Sequence, residues 1–216
     1  MTTEAKICGI NTREALTAAL DSGADYVGFV FFEPSPRHLE IVAARSLAEL
    51  ARGKAKVVAL TVDAGDAVLD EIAKEIAPDF LQLHGSEKPE RVVEVKEKFG
   101  RKIIKAIPVR TSEDAAAAKT YATVADLILF DAKAPSGATR PGGHGRAFDW
   151  AVLDAVSRDM PFMLSGGLTP ENVEEAIRVT RPQSVDVSSG VETAPGVKDT
   201  ELIRRFLRAV KTANQG

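Results

Sequence analysis

The chain of 216 residues holds one cysteine, Cys8, within AKICGI at residues 5–10. A thiolate removes protons as well as attacking carbon, so a lone cysteine placed where reactive groups gather is a candidate base. Placed elsewhere, it is a small apolar filler. Asp131 closes LILFD at 127–131, five residues with a single charge. A carboxyl at the end of a buried strand is a candidate proton donor, or the cap of a following turn. Arg37 lies in EPSPRH at 33–38, between Pro34, Pro36 and His38. The prolines stiffen this segment, and a rigidly held guanidinium projecting from it matches a carboxylate or phosphate bidentately. A solvated surface arginine is the competing reading.

Two glycine-bearing segments come late in the chain. LSGGLT at 164–169 carries Gly166 and Gly167, and DVSSGV at 186–191 carries Asp186, Ser188, Ser189 and Gly190. Glycine lets the backbone approach a ligand closely, and a helix start offers unpaired N–H donors to phosphate. His84, in LQLHG at 81–85, is a strand-end polar contact or a hydrogen-bonded core residue. KAPSGATRPGGHGR at 133–146 is the longest connection and carries four glycines, a composition expected of a binding loop or of a lid that shields Asp131 from water. His38 and His144 have no metal-ligand spacing with any Cys, Asp or Glu, and no dinucleotide fingerprint or Walker motif occurs. No metal is expected.

The elements that must position these residues alternate from end to end. Short apolar runs rich in Val, Ile, Leu and Phe lie near 7–10, 26–32, 57–62, 80–84, 103–108, 127–131, 162–165 and 184–187. Amphipathic patterns near 12–21, 40–52, 66–76, 88–98, 111–122, 147–157, 170–179 and 199–212 predict helices. Asn11 with Glu14 has capping-box spacing, and Thr169 before Pro170 predicts a cap followed by proline at the first helical position. Such runs suit a parallel sheet covered by helices. Eight strand–helix units without a linker are the count of a (β/α)8 TIM barrel, and an open doubly wound sheet uses the same alternation. In a barrel, the C-terminal strand ends converge on one mouth. There they would gather Lys6, Cys8, Gln82, His84, Lys105, Asp131, Ser165, Asp186, Ser188 and Ser189. The segments 164–169 and 186–191 follow the seventh and eighth strands, where barrels frequently hold phosphate.

Composition narrows the partners. With 28 basic and 31 acidic residues the net charge is −3, which gives no electrostatic case for nucleic acid. MTTEAK at the start has no apolar signal region, and the longest apolar-or-glycine run, YVGFVFF at 26–32, is far short of a membrane span. A single cysteine excludes an internal disulfide and fits a reducing, cytoplasmic setting. Monomer and homodimer are both compatible with a chain of this size.

KICGI at 6–10, SPR at 35–37, LQLHG at 81–85, LFD at 129–131, GGHGRAFDW at 142–150, SGGL at 165–168 and DVSSGVE at 186–192 together resemble the phosphoribosylanthranilate isomerase family of tryptophan biosynthesis. The resemblance implies one (β/α)8 barrel domain over 1–216. It also implies an Amadori rearrangement of an anthranilate-bearing phosphosugar, an aldose–ketose isomerisation that needs no cofactor. It places the general base on Cys8, the general acid on Asp131 and the carboxylate contact on Arg37. It puts the phosphate on the backbone of Gly166, Gly167, Ser188, Ser189 and Gly190, with His84 and Asp186 as further substrate contacts. The family often has threonine and lysine where this chain has His144 and Arg146. A pentose-phosphate epimerase would need metal ligands at the strand ends, and His84 alone is too few. A non-catalytic sugar-phosphate binder would not need both Cys8 and Asp131.

Overall fold

The structure is a computed structural model and describes residues 2–133, 142, 148–154 and 160–215. Eight parallel strands run in chain order around a closed barrel. They are β1 (Glu4–Cys8), β2 (Tyr26–Phe31), β3 (Lys56–Thr61), β4 (Phe80–Leu83), β5 (Lys102–Val109), β6 (Leu127–Ala132), β7 (Phe162–Leu164) and β8 (Ser184–Val187). The ladder between β8 and β1, with Lys6 opposite Asp186, closes the sheet and decides against the open alternative. The first strand starts three residues earlier than its apolar run, because Glu4 and Lys6 are polar residues inside it.

Alternation along each strand divides two apolar layers. Ile7, Val27, Phe29 and Ile103 face outward into the shell shared with the helices. Tyr26, Val58, Phe80, Ile104, Leu129 and Met163 fill the barrel interior. Cys8 belongs to a third, smaller cluster with Val30 and Leu60. The helices are α1 (Arg13–Asp21), α2 (Ile41–Ala51), α3 (Asp66–Glu75), α4 (Pro89–Phe99), α5 (Ser112–Ala116), α6 (Val173–Thr180) and α7 (Thr200–Ala213). In α7 the buried residues Ile203, Phe206, Leu207 and Val210 recur at helical spacing and form one face. No helix among the described residues is long and apolar enough to cross a membrane.

Several boundaries differ from the sequence pattern. Thr12, not Asn11, caps α1 through its hydroxyl on the Ala15 N–H, while the Asn11 amide donates to the Gly196 carbonyl at 2.9 Å. A helix over 111–122 shortens to α5 followed by one 3-10 turn. Of the pattern over 147–157, Trp150–Leu153 is a 3-10 turn and 155–159 lie outside the described residues. A small antiparallel hairpin, β9 (Glu192–Ala194) and β10 (Val197–Lys198), stands between β8 and α7 where no strand pattern marks it. Its Gly196, at φ +83°, packs so closely on the Pro36 carbonyl that a side chain there would collide with it.

Candidate active site

A cavity opens at the C-terminal ends of the strands. Cys8 enters it from β1, Arg37 from the loop after β2, His84 from the end of β4 and Asp131 from β6. Gly166 and Gly167 line it from beyond β7, with Asp186 on β8 and Ser188, Ser189 and Gly190 after it. These candidates therefore meet at one mouth, whereas Lys6, Gln82 and Lys105, also expected there, do not line it. His144 and Arg146 lie outside the described residues.

Cys8 is 4 % exposed, and Lys6, two residues earlier on the same face of β1, is fully buried beneath it. Lys6 Nζ donates to Asp186 Oδ1 at 2.9 Å, and Ser165 Oγ donates to Asp186 Oδ2 at 3.0 Å. Each oxygen of Asp186 already holds a protein donor, so this carboxylate meets the cavity as a buttress of Lys6. Gly28 leaves space beside the pair: a Cβ there would lie 3.1 Å from Cys8 Sγ and 3.3 Å from Lys6 Cε. Burial pushes the Cys8 thiol above its ordinary pKa; the ammonium groups of Lys6 and Lys198 pull it back, and the charge of Asp186 adds to the rise. For Lys6, burial is outweighed by Asp186 and Cys8, which hold its pKa above the ordinary lysine value.

Asp131 is held from two sides. Its Oδ2 lies 3.1 Å from His84 Nε2, and its Oδ1 accepts the Ala132 N–H at 2.9 Å. Gln82 Nε2 lies 3.0 Å from the other ring nitrogen, His84 Nδ1. With the Gln82 amide donating to Nδ1, Nε2 carries the ring N–H and donates it to Asp131 Oδ2. One lone-pair direction per carboxyl oxygen remains for a proton aimed at the cavity. Gly142, from the glycine-rich segment, rests on this pair: a Cβ there would collide with Asp131 Oδ2 and sit 3.0 Å from His84 Nε2.

Arg37 lines the mouth and is not the solvated surface arginine of the competing reading. It is 4 % exposed, and Glu192 grips it bidentately, Nε to Oε1 at 2.7 Å and Nη2 to Oε2 at 2.8 Å. Among the described residues Nη1 has no protein acceptor, and it remains for an anion in the cavity. Lys198 Nζ also reaches Glu192 Oε1, at 2.7 Å. Burial raises the Glu192 pKa, but Arg37 and Lys198 outweigh it and hold the carboxyl below its usual range. For Lys198, burial wins over Glu192 and lowers the pKa. Sequence reasoning missed both Glu192 and Lys198, since VETAPGVK at 191–198 carries no apolar alternation. Lys105, expected at the mouth, is instead buried under the β4 loop, bonded to Glu87 at 2.7 Å and to the Gly85 carbonyl at 2.8 Å.

The glycine segments interleave. Gly166 and Gly167 take φ of +86° and +68°, and a Cβ on Gly166 would lie 2.5 Å from the Ala132 nitrogen. A Cβ on Gly190 would strike the Leu168 carbonyl. Among the described residues the N–H groups of Gly166, Gly167, Ser189 and Gly190 have no main-chain acceptor. The Gly166 and Gly167 donors belong to a loop rather than to a helix start, whereas Ser189 and Gly190 open a 3-10 turn. Pro170 falls in a turn, α6 begins only at Val173, and β8 leads into a 3-10 turn over Ser189–Val191.

Residues 5–209 match the family model described as N-(5'phosphoribosyl)anthranilate (PRA) isomerase. The N-(5'-phosphoribosyl)anthranilate isomerase of Rhodopseudomonas palustris (strain BisA53) is 56% identical over 215 residues, covering 100% of this chain and 99% of that protein. The crystal structure of phosphoribosyl anthranilate isomerase from Thermotoga maritima superposes with a TM-score of 0.89 at 36% identity, over 98% of this chain and 100% of that one. A phosphoribosyl anthranilate isomerase solved with reduced 1-(o-carboxyphenylamino)-1-deoxyribulose 5-phosphate superposes with a TM-score of 0.86 at 33% identity, over 98% and 100% of the two chains.

Proposed function

The chain belongs to the phosphoribosylanthranilate isomerase family, and from that premise we propose how its own residues carry the family's reaction. That reaction is the Amadori rearrangement of N-(5'-phosphoribosyl)anthranilate to 1-(2-carboxyphenylamino)-1-deoxyribulose 5-phosphate, in tryptophan biosynthesis. One observation carries the assignment: Cys8 and Asp131 reach a single cavity from β1 and β6, with the backbone N–H groups of Gly166, Gly167, Ser189 and Gly190 beside them.

The phosphate sits on those N–H groups and the anthranilate carboxylate on the Arg37 edge between Nη1 and Nη2, which stretches the sugar between them across the mouth. Asp131, protonated, gives its proton to the furanose ring oxygen. The C1′–O bond breaks and the nitrogen lone pair forms the C1′=N Schiff base. Cys8, as thiolate, takes the C2′ proton, and the C–H electron pair becomes the C1′=C2′ bond of an enolamine. Protonation at C1′ and loss of the C2′ hydroxyl proton then give the ketone at C2′. C1′ is reduced as C2′ is oxidised, so the electrons balance within the substrate and no external redox partner is needed. His84 orients Asp131 and Asp186 anchors Lys6 under Cys8, so both act through the acid and base.

The relative solved with a reduced product supports a site shaped for a carboxylated arylamino phosphosugar. The chain is read as one barrel domain over 1–216 working in the cytoplasm, where its lone thiol stays free. Growth of a tryptophan auxotroph lacking this isomerase, restored by the wild-type chain and not by Asp131→Asn, tests the reading. Equal restoration by both refutes the acid assignment, and no restoration by folded wild type refutes the activity.

A further inference from the structure

Lys198 has the geometry of a residue that shapes the phosphate site without entering it. Its side chain is 1 % exposed. Nζ donates to the Ser188 carbonyl at 2.8 Å and contacts Ser188 Oγ at 3.3 Å and Glu192 Oε1 at 2.7 Å. Three contacts use the three N–H bonds of an ammonium, which leaves no donor for a ligand. Lys198 itself is not among the residues that line the cavity.

The consequence follows from peptide planarity. In a trans peptide the carbonyl of one residue and the N–H of the next point in opposite directions. Lys198 draws the Ser188 carbonyl toward the β9–β10 hairpin, at an irregular backbone position with φ −125° and ψ −79°. The N–H of Ser189 is thereby turned the other way, and it has no main-chain acceptor among the described residues. Ser189 itself lines the cavity. The hairpin that delivers Lys198 is fixed in turn by the Glu192 grip on Arg37 and by the Asn11 amide on the Gly196 carbonyl.

We propose that Lys198 is a positioning residue for the reaction, which sets the Ser188–Ser189 peptide so that its N–H presents to the substrate phosphate. The proposal rests on the phosphate assignment above and deepens it. It also explains how a site without a basic side chain in either glycine segment keeps its donors aimed, since the cation works from behind the peptide.

The test is a titration of the 15N-labelled full chain with inorganic phosphate, followed by backbone amide shifts. Wild type should show saturable shifts at Gly166, Gly167, Ser189 and Gly190. Lys198→Met should weaken phosphate at least tenfold and abolish the Ser189 shift, with the spectrum still dispersed. Lys198→Gln keeps an N–H for the Ser188 carbonyl and should fall between the two. A purely structural lysine would lower the melting temperature and leave the affinity and the Ser189 shift of the folded chain unchanged, which overturns the proposal. Should Lys198→Met fail to fold, Lys198→Gln decides alone: a loss of threefold or more supports the role, and wild-type affinity overturns it. Absence of any phosphate shift in wild type overturns the phosphate assignment and this inference together, whereas equal binding by wild type and variant overturns only the role of Lys198.

Discussion

His84 Nε2 lies 3.1 Å from Asp131 Oδ2 while its Nδ1 lies 3.0 Å from Gln82 Nε2, so one imidazole is clamped between an amide and the proposed acid. Both ends of β4 and β6 are fixed by sheet pairing, which makes the contact a rigid one. His84→Ala removes the side-chain partner from Oδ2 and lets the carboxyl rotate away from the ring oxygen. A hydrogen bond to a charged group is worth about 1.5–3 kcal/mol, so turnover should fall by about 10–150-fold. Affinity for a reduced product analogue should change little. A variant that loses affinity but keeps kcat would make His84 a substrate ligand rather than an orienter of Asp131.

The pH dependence follows from the burial of Cys8. Its pKa is raised in the fold by burial, so the thiolate needed for proton removal forms at higher pH than in an ordinary thiol. Because it is the only cysteine, iodoacetamide reads it alone. The alkylation midpoint of the native chain should lie above that of the urea-unfolded chain, and kcat/KM should climb through the same interval. Lys6→Met should move both further up, since the nearest compensating cation is lost while Asp186 remains. The sign for stability is fixed as well. A raised folded pKa contributes stability that is complete below the unfolded value and is lost as pH rises through the folded one. Cys8→Ala should therefore flatten that alkaline decline in urea unfolding. A native midpoint at or below that of the unfolded chain contradicts the burial argument.

What was legible in the sequence and what was not divides along a physical line. Cys8, Asp131 and the two glycine segments each end an apolar run, and strand order alone carries such positions to one mouth. Partners that come from distant loops had no local signal. The Arg37–Glu192 pair spans 155 residues, and nothing near EPSPRH announces that its guanidinium is already engaged. Lys6 and Lys105 were legible as polar residues near strand ends, but register sank them below the cavity against Asp186 and Glu87. The cap of α1 falls on Thr12 rather than Asn11, whose amide instead donates to Gly196 across 185 residues, a contact with no local signal.

Arg37 should decide whether a carboxylated ligand is preferred. Glu192 occupies Nε–H and one N–H of Nη2, so the edge left for an anthranilate carboxylate is the one between Nη1 and Nη2. Arg37→Ala should weaken the reduced product by about 1.5–3 kcal/mol. The same ligand without its carboxylate should bind wild type and variant alike. The variant also leaves Glu192 with Lys198 as its remaining cation, so thermal unfolding must be measured beside binding. If the two ligands keep their wild-type ratio in Arg37→Ala, the carboxylate is recognised elsewhere.

Cys8 and Asp131 form the sharpest test, because opposite arguments apply to a filler and a base. Cys8 packs with Val30 and Leu60 in a small apolar cluster, so a filler changed to Ala would cost stability first and rate little. A base changed to Ala loses the proton transfer itself. Cys8→Ala and Asp131→Asn should each lower turnover by about 10²–10⁴-fold, the usual worth of a positioned acid or base, while phosphate binding stays close to wild type. Cys8→Ser nearly conserves volume yet should behave like Cys8→Ala, since a hydroxyl ionises far less readily than a thiol. Combining Cys8→Ala with Asp131→Asn should cost less than the product of the separate losses, because groups that act on one sugar in sequence are not additive. Stopped-flow turnover and urea unfolding, measured on the same set of variants, separate a base from a filler. If Cys8→Ala keeps near-full activity and only unfolds earlier, Cys8 is packing and the base lies elsewhere in the cavity.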